Sequence, residues 1–332
     1  MSEDPARHRI LRIADLAKEA RSRISPPLIQ TPLRRVLPNS VPEQGLEVWL
    51  KMECCQISGS FKARGATHFL SRLMEESAPK GVITYSSGNH GRALSEAAAR
   101  IDLPAVVVAP ATIDATKAEA VRIAGAELVL VGPTTDERRQ KAEELAQERD
   151  WVVVPPFDHD WIMAGQGTIF LEAVDQLGQA PDHLWLPVGG GGLSAGCAAV
   201  ARVHAPDCQI HVVEPEGSDA LARSLEAGQH QRCETPLSEA DGLLPQAVGA
   251  GNWEILAAAG VISHRVSDAD LLHSLKILHR QNGVGAEPSG ACAVTPLLTN
   301  RVSKGGFTGS HVAIVSGGNV ARDRLERLLS AD

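Results

Sequence analysis

Between residues 81 and 155, short apolar runs rich in β-branched residues alternate with stretches in which Ala, Leu, Glu and Arg recur at helical spacing. The runs at 82–85, 105–108, 128–131 and 151–154 fit strands buried on both faces, and the stretches at 92–100, 116–124 and 136–150 fit helices covering them. Such alternation predicts a parallel sheet. It resumes with a helix at 161–177, a strand at 183–188, a helix at 193–204 and a strand at 209–213. Residues 225–266 read as irregular and Gly-rich, after which helices at 268–281, 289–299 and 323–329 surround a strand at 312–315. A strand at 47–52 is expected to pack with this later group. The fold class is therefore α/β: two lobes, each an open, mostly parallel sheet covered by helices, with a cleft between them. Residues 73–158 would form the small lobe, and 1–72 with 159–332 the large one. No internal repeat or low-complexity tract disturbs this division.

The 332 residues are enough for two such lobes, and 43% apolar with 22% charged residues is the make-up of an ordinary folded protein. A formal charge of −8 gives no electrostatic reason to bind a polyanion, so nucleic acid is not an expected partner. The stretch from Met1 to Ile24 mixes acidic and basic residues and lacks the apolar centre of a signal peptide. No run reaches membrane-spanning length, and the expected compartment is the cytoplasm. The six cysteines show no C-x-x-C spacing, so neither a zinc site nor a redox pair is expected.

Four short runs sit where strands end and helices begin. Ser58-Gly59-Ser60-Phe61-Lys62-Ala63-Arg64-Gly65-Ala66 places Lys62 at a helix start, where the dipole and partial burial disfavour an ammonium and favour the neutral amine that imine formation requires. Alone, it also fits a solvated lysine beside a helix. Ser86-Ser87-Gly88-Asn89-His90-Gly91 follows a strand and offers free amides to an anion such as an amino-acid carboxylate, or equally a cap and a turn. Gly189-Gly190-Gly191-Gly192-Leu193, between strong strand and helix signals, can turn successive N–H groups around a phosphate; it is neither a Walker loop nor a dinucleotide fingerprint. Ser316-Gly317-Gly318-Asn319 follows an apolar strand and can bring a hydroxyl to a ring nitrogen, which a neutral hydroxyl leaves unprotonated where a carboxylate would not.

Together, and in this order, the runs resemble the serine/threonine dehydratase and serine racemase group of pyridoxal-phosphate enzymes, the tryptophan-synthase-β-like fold type. The likeness covers nearly the whole chain and includes Gln166-Gly167-Thr168 and Glu287-Pro288-Ser289-Gly290. It implies that pyridoxal phosphate lies in the cleft between the lobes, attached to Lys62, with Phe61 against the ring. Gly189, Gly190, Gly191, Gly192 and Leu193 would bind the phosphate, Asn89 the ring hydroxyl and Ser316 the ring nitrogen. Ser87, Gly88, Asn89 and His90 would clamp the substrate carboxylate. Lys62 would remove the α-proton, and Ser87 matches the serine that acts as a base on the opposite face in racemases. A homodimer is a further implication.

The chain departs from the family pattern in three places. Glu214 and Ser218 match ligands of a divalent cation, Mg or Ca, but Ala220 stands where a second carboxylate belongs, leaving the metal site incomplete. Cys54-Cys55-Gln56-Ile57 precedes the lysine run where relatives often carry a polar or basic last residue. The chain continues only a few residues past Asn319, so no regulatory domain and no end-product feedback are expected. The reading is a dehydratase (ammonia-lyase) that eliminates water from a small β-hydroxy amino acid of serine, threonine, hydroxyaspartate or phenylserine type. The alternatives are a serine- or aspartate-type racemase on the same scaffold and, from another class, a nucleotide-binding oxidoreductase or ligand sensor without pyridoxal phosphate.

Overall fold

The computed structural model describes residues 5–42, 46–86, 88–113, 115–132, 134–299 and 307–330. Ten strands, β1 (Leu33–Arg35), β2 (Glu47–Lys51), β3 (Val82–Tyr85), β4 (Ala105–Pro110), β5 (Glu127–Val131), β6 (Val152–Val153), β7 (His183–Pro187), β8 (Gln209–Pro215), β9 (Ile262–Val266) and β10 (Ser310–Ile314), form two sheets. The larger runs β1-β2-β10-β7-β8-β9 and the smaller β5-β4-β3-β6. Every pairing is parallel except β1 against β2. This is the α/β architecture expected from the alternating pattern. Among the described residues no helix is long and apolar enough to cross a membrane.

The continuous apolar runs of β4 and β7 are explained by burial on both faces of their sheets, whereas the edge strands β5 and β6 are partly exposed. In β7, Leu184 and Leu186 enter one core and Trp185 the other; in β4, Val106 and Val108 face one core and Val107 the opposite one. Three expectations are corrected. The stretch 225–266 contains the helix Ala250–Ala258 and strand β9, and the helix Ala220–Ala227 reaches into it. Short, Gly-interrupted elements carry too few periodic positions to stand out in sequence. The single helix at 289–299 is broken into Pro288–Ala291, a 3₁₀ turn at Cys292–Val294 and Thr295–Leu298, consistent with Pro296 lacking an amide donor. An unpredicted helix, Pro5–Arg23, buries Ile10, Ile13, Ala14, Ala17 and Ala20 against the helices Asp160–Leu177 and Gly192–His204. Its many charges lie on the other face and masked the apolar stripe.

Two features fix the large lobe around the site. Under the helix Lys62–Glu76, four charged side chains, Lys51, Glu53, Arg64 and Glu172, are buried together. Arg64 donates to both oxygens of Glu53 (2.7 and 2.8 Å), to both of Glu172 (2.6 and 2.8 Å) and to Thr168 Oγ1 (3.2 Å), which uses all five of its N–H groups. Lys51 Nζ donates to Glu172 (2.7 Å), Gln176 (2.9 Å) and the Thr31 carbonyl (2.7 Å). Burial works against the Arg64 charge, but the two carboxylates outweigh it and hold the guanidinium above its usual range. Removing one member of such a neutral, saturated group strands its partners at a cost of about 3–5 kcal/mol. The second feature is a close crossing of helices: a Cβ at Gly165 would stand 2.7 Å from Gly65 Cα, so only glycine lets Asp160–Leu177 press against Lys62–Glu76 there.

On one face of the large sheet, far along the strands from the cleft, His183, His211, His264 and His311 form a ladder around Trp185. His183 Nε2 donates to the Thr308 carbonyl (3.2 Å), so its Nδ1 must accept, from His211 Nε2 (3.0 Å); His211 Nδ1 in turn accepts from His264 Nε2 (2.9 Å). Trp185 Nε1 donates to His311 Nδ1 (3.1 Å). One carbonyl thus dictates three neutral tautomers in succession. Burial, joined by repulsion from the other histidines, pushes His211 down to about 2, and burial with His183 pushes His311 down to about 4.

Because these folded-state values lie below the ordinary 6.5, the unfolded chain takes up protons that the folded ladder refuses once the pH falls below that value. Thermal stability is therefore expected to be complete above about pH 6.5 and to decline toward about pH 4. His211→Phe should melt lower than the native protein at about pH 7.5 yet lose less between there and about pH 5. Melting curves across that range check it, and a decline as steep as the native one would remove the ladder as its source.

Candidate active site

Strand β2 ends at Lys51, and the chain turns through a 3₁₀ segment, Glu53–Cys55, toward the lysine run. Ser60 bridges to Gly317, and Phe61 N donates to the Ser316 carbonyl (3.1 Å), which binds the start of the helix Lys62–Glu76 to the loop after β10. Lys62 and Ser316 therefore border the same cleft, which measures about 550 Å³ and lies between the two sheets. Lys62 Nζ donates to the Pro156 carbonyl (2.7 Å) and stands 5.1 Å from the centre of the Phe61 ring. Burial lowers Lys62 to about 8, against 10.5 for an ordinary lysine. A sizeable neutral fraction follows at physiological pH, the state in which an amine is a nucleophile and a base.

Opposite Lys62, Gly189 to Gly192 connect β7 to the helix Gly192–His204 and line the cleft with Leu193. The Gly190 carbonyl accepts from Gly249 N (3.0 Å) and Asn252 Nδ2 (2.6 Å), and Gly191 has φ +89°. Among the described residues, the amides of Gly189 to Gly192 donate to no protein acceptor. A Cβ at Gly190 would overlap the Phe157 ring, so the loop can keep this shape only without side chains. Consecutive free amides at the start of a helix suit a phosphate. The donor set and the adjacent lysine fit a phosphorylated aldehyde. Ser316 is buried, donates to the Ser289 carbonyl (3.3 Å) and faces the cleft.

The strand β3 delivers Gly88, Asn89 and His90 to the cleft at the head of the helix Asn89–Ala99. Ser87 lies outside the described residues. Asn89 is held at both ends of its amide: Nδ2 donates to Glu287 Oε1 (2.6 Å), and Oδ1 accepts from Asn319 Nδ2 (2.8 Å). His90 is 2% exposed, and neither ring nitrogen has a hydrogen-bond partner; the Val154 carbonyl lies near but outside bonding geometry. Burial and the nearby Lys62 charge push His90 down to about 3, so it is neutral.

Sequence reasoning passed over several lining residues. Glu287 was noted only as part of a motif, yet it is buried at the cleft, where burial and then Asp241 raise it to about 7. Lys117, Arg138 and Asp241 also line the cleft. Isolated charges on ordinary helices and turns carry no local signal, because the fold alone brings them to one place. The region of Glu214 is internally satisfied. Its two oxygens accept from Leu221 N (2.9 Å) and Ala222 N (2.8 Å), capping the helix Ala220–Ala227, and Asp219 pairs with Arg223 (2.5 Å) and Arg265 (2.9 Å). Ser218 Oγ donates to the Leu243 carbonyl (2.7 Å).

The family model for pyridoxal-phosphate dependent enzymes matches residues 24–318, and the chain belongs to that family. It is 35% identical over 288 residues to the L-threo-3-hydroxyaspartate ammonia-lyase of a Pseudomonas species, covering 86% of this chain and 89% of that enzyme. It is 33% identical to the serine racemase of Schizosaccharomyces pombe over 86% of this chain and 87% of the relative. The solved structure of maize serine racemase superimposes with a TM-score of 0.89 at 30% identity, over 95% of each chain.

The glycine loop yields a direct expectation. Gly190→Val should weaken cofactor binding at least about tenfold, the equivalent of ~1.4 kcal/mol, while changing turnover far less once cofactor is saturating. Equilibrium titration of the cofactor-free protein measures it. Native affinity in a folded Gly190→Val protein would show that the loop does not hold the phosphate.

Proposed function

We propose that the protein is a pyridoxal-phosphate-dependent dehydratase that converts a small β-hydroxy amino acid into a 2-oxo acid and ammonia. The observation that carries this reading is the meeting, in one cleft, of a buried amine near neutrality at Lys62 with the free amides of Gly189 to Gly192. Relatives named as ammonia-lyases support it. When bound, pyridoxal phosphate supplies an electron sink conjugated to the substrate's amino group.

The chain's own residues supply the rest. Gly189 to Gly192 and Leu193 would hold the phosphate, Asn89 the ring hydroxyl and Ser316 the ring nitrogen, its one hydroxyl proton turning from the Ser289 carbonyl to that nitrogen, which a neutral hydroxyl leaves unprotonated. Phe61 packs on the ring. Gly88, Asn89 and His90, with Ser87, seat the substrate carboxylate at the helix start. Lys62 takes the α-proton, and the β-hydroxyl leaves with a proton as water. Hydrolysis of the resulting enamine consumes one water and releases ammonia, so the net reaction is substrate to 2-oxo acid plus ammonium. The small lobe, 73–158, closes over the substrate. Arg138 lines the cleft, where burial holds it below its ordinary value, so a substrate that brings a second carboxylate is favoured. Among the candidate substrates, the 3-hydroxyaspartate type meets that demand best. The capped Glu214 and the doubly paired Asp219 favour a smaller role for a divalent cation than two free carboxylates would give. All six cysteines are unpaired, in keeping with action in the cytoplasm, and a homodimer is the assembly proposed.

Two experiments test this reading. Borohydride reduction of the cofactor-loaded protein should fix the label on the peptide containing Lys62, and Lys62→Ala should lose turnover by several orders of magnitude while remaining folded. Label on any other lysine, or an active Lys62→Ala protein, would refute the assignment. A screen of β-hydroxy amino acids in every stereoisomer, scored for ammonia and 2-oxo acid, identifies the substrate.

The relatives named as racemases make the second experiment necessary. In a dehydratase whose substrate presents its α-proton to Lys62, Ser87→Ala should slow that enantiomer modestly, whereas a reaction from the opposite face should fall by several orders of magnitude. Initial rates with each enantiomer, together with solvent deuterium exchange at Cα, separate the cases; equal losses for both would reduce Ser87 to a binding group.

A further inference from the structure

The helix Ala115–Ile123 of the small lobe and the 3₁₀ turn Asp241–Leu243 of the large lobe meet across the cleft through Lys117 and Asp241, whose Nζ and Oδ2 are 2.5 Å apart. The ion pair is partly buried and both residues line the cleft. A Cβ added to Gly88 would lie 3.6 Å from Lys117 Nζ, so the ammonium stands directly over the start of the helix Asn89–Ala99. In the first turn of that helix the buried imidazole of His90, with neither nitrogen hydrogen-bonded, lines the same cleft. An ammonium and a helix start meet there, in a cleft that an unsatisfied imidazole also lines, and each gains from an incoming carboxylate.

Asp241 has a second cation beside Lys117. Asp241 Oδ2 also accepts from Arg324 Nη1 (3.2 Å), and Arg324 Nη2 donates to the Glu239 carbonyl (2.9 Å). If Lys117 swings away, Asp241 keeps a cation and is not left as an unpaired charge. Glu287 senses both groups, held down by Lys117 and pushed up by Asp241, which places the exchange beside the polar floor of the site.

We infer that Lys117 is a positioning residue for the substrate carboxylate, and that its ion pair with Asp241 is an interlobe latch whose ammonium passes from the aspartate to the substrate. No covalent bond changes; one ammonium trades one carboxylate for another, and Arg324 retains the one released. This rests on the substrate site described under the proposed function. A fixed strut between the lobes would use the same pair differently, and the two roles predict opposite behaviour in one variant.

The test is calorimetric binding of glycine, which carries the α-carboxylate and no leaving group, to the cofactor-loaded protein, alongside kcat and KM for the best substrate. Lys117→Met should raise the glycine Kd and the KM by about tenfold or more, with a smaller change in kcat. Asp241→Asn should lower the glycine Kd severalfold, because Lys117 then leaves no carboxylate behind. Weaker glycine binding in Asp241→Asn, or unchanged binding in Lys117→Met, would overturn the exchange. Should Lys117→Met fail to fold, Asp241→Asn still decides by the sign of its effect. A native protein that turns over no β-hydroxy amino acid would defeat the dehydratase reading, and glycine binding would still judge the latch separately.

Discussion

Everything at the active site hangs from the pairing of Arg64 with Glu53 and Glu172. Arg64 stands two residues beyond Lys62 in the first turn of its helix, Glu53 follows strand β2, and Glu172 belongs to the helix Asp160–Leu177. Three elements, one of them more than a hundred residues away in sequence, are thus tied at one guanidinium whose every donor is satisfied. The requirement is strict, since a buried charge lacking any one of these partners is worse than an apolar side chain in its place. The Gly65 and Gly165 crossing lets the helices come near enough for the pairing to form, and Ser316 is joined to the same assembly through the Phe61 amide. The position of Lys62 relative to the glycine loop is a consequence of that anchoring.

The same arrangement explains which of two neighbouring lysines is chemically available. Lys51 is wholly buried, but Glu172, Gln176 and the Thr31 carbonyl take its three protons, so its ammonium is engaged in structure. Burial lowers both lysines, but Glu53 and Glu172 oppose it at Lys51, whereas Lys62 meets a single carbonyl and no carboxylate. Proximity to carboxylates, more than depth, separates the structural cation from the reactive amine.

Much of this was legible in the sequence, though unevenly. Strand β3 was expected with the bounds observed, and β4, β5, β7 and β8 were each placed within two residues; strands buried on both faces, as β4 and β7 are, leave uninterrupted apolar runs, and the edge strand β5 keeps one although it is partly exposed. The glycine loop and the Lys62 run were readable because strand, turn and helix signals abut them. Helix Pro5–Arg23 was not, since its charges outnumber the residues that pack. Lys117, Asp241 and Glu287 were invisible as a group: their proximity is a product of two lobes facing each other, which no local spacing encodes. The latent cation site shows the converse. Ala220 signalled that a ligand was missing, but nothing in the sequence announced that Glu214 would cap a helix or that Asp219 would take Arg265.

The histidine ladder carries a polarity that constrains how the large sheet can vary. Each rung donates its hydrogen bond in one direction, from His264 through His211 and His183 to the Thr308 carbonyl. The outer rung needs only to donate, so a side chain without an acceptor can stand there. His211, in the middle, must donate from one edge of a flat ring and accept at the other while stacking on Trp185 at 4.0 Å. Imidazole alone among the natural side chains meets all three demands. Substitution along β8 and β9 should therefore be graded, tolerant at 264 and costly at 211, and the direction of the chain cannot reverse while it ends on a carbonyl that only accepts.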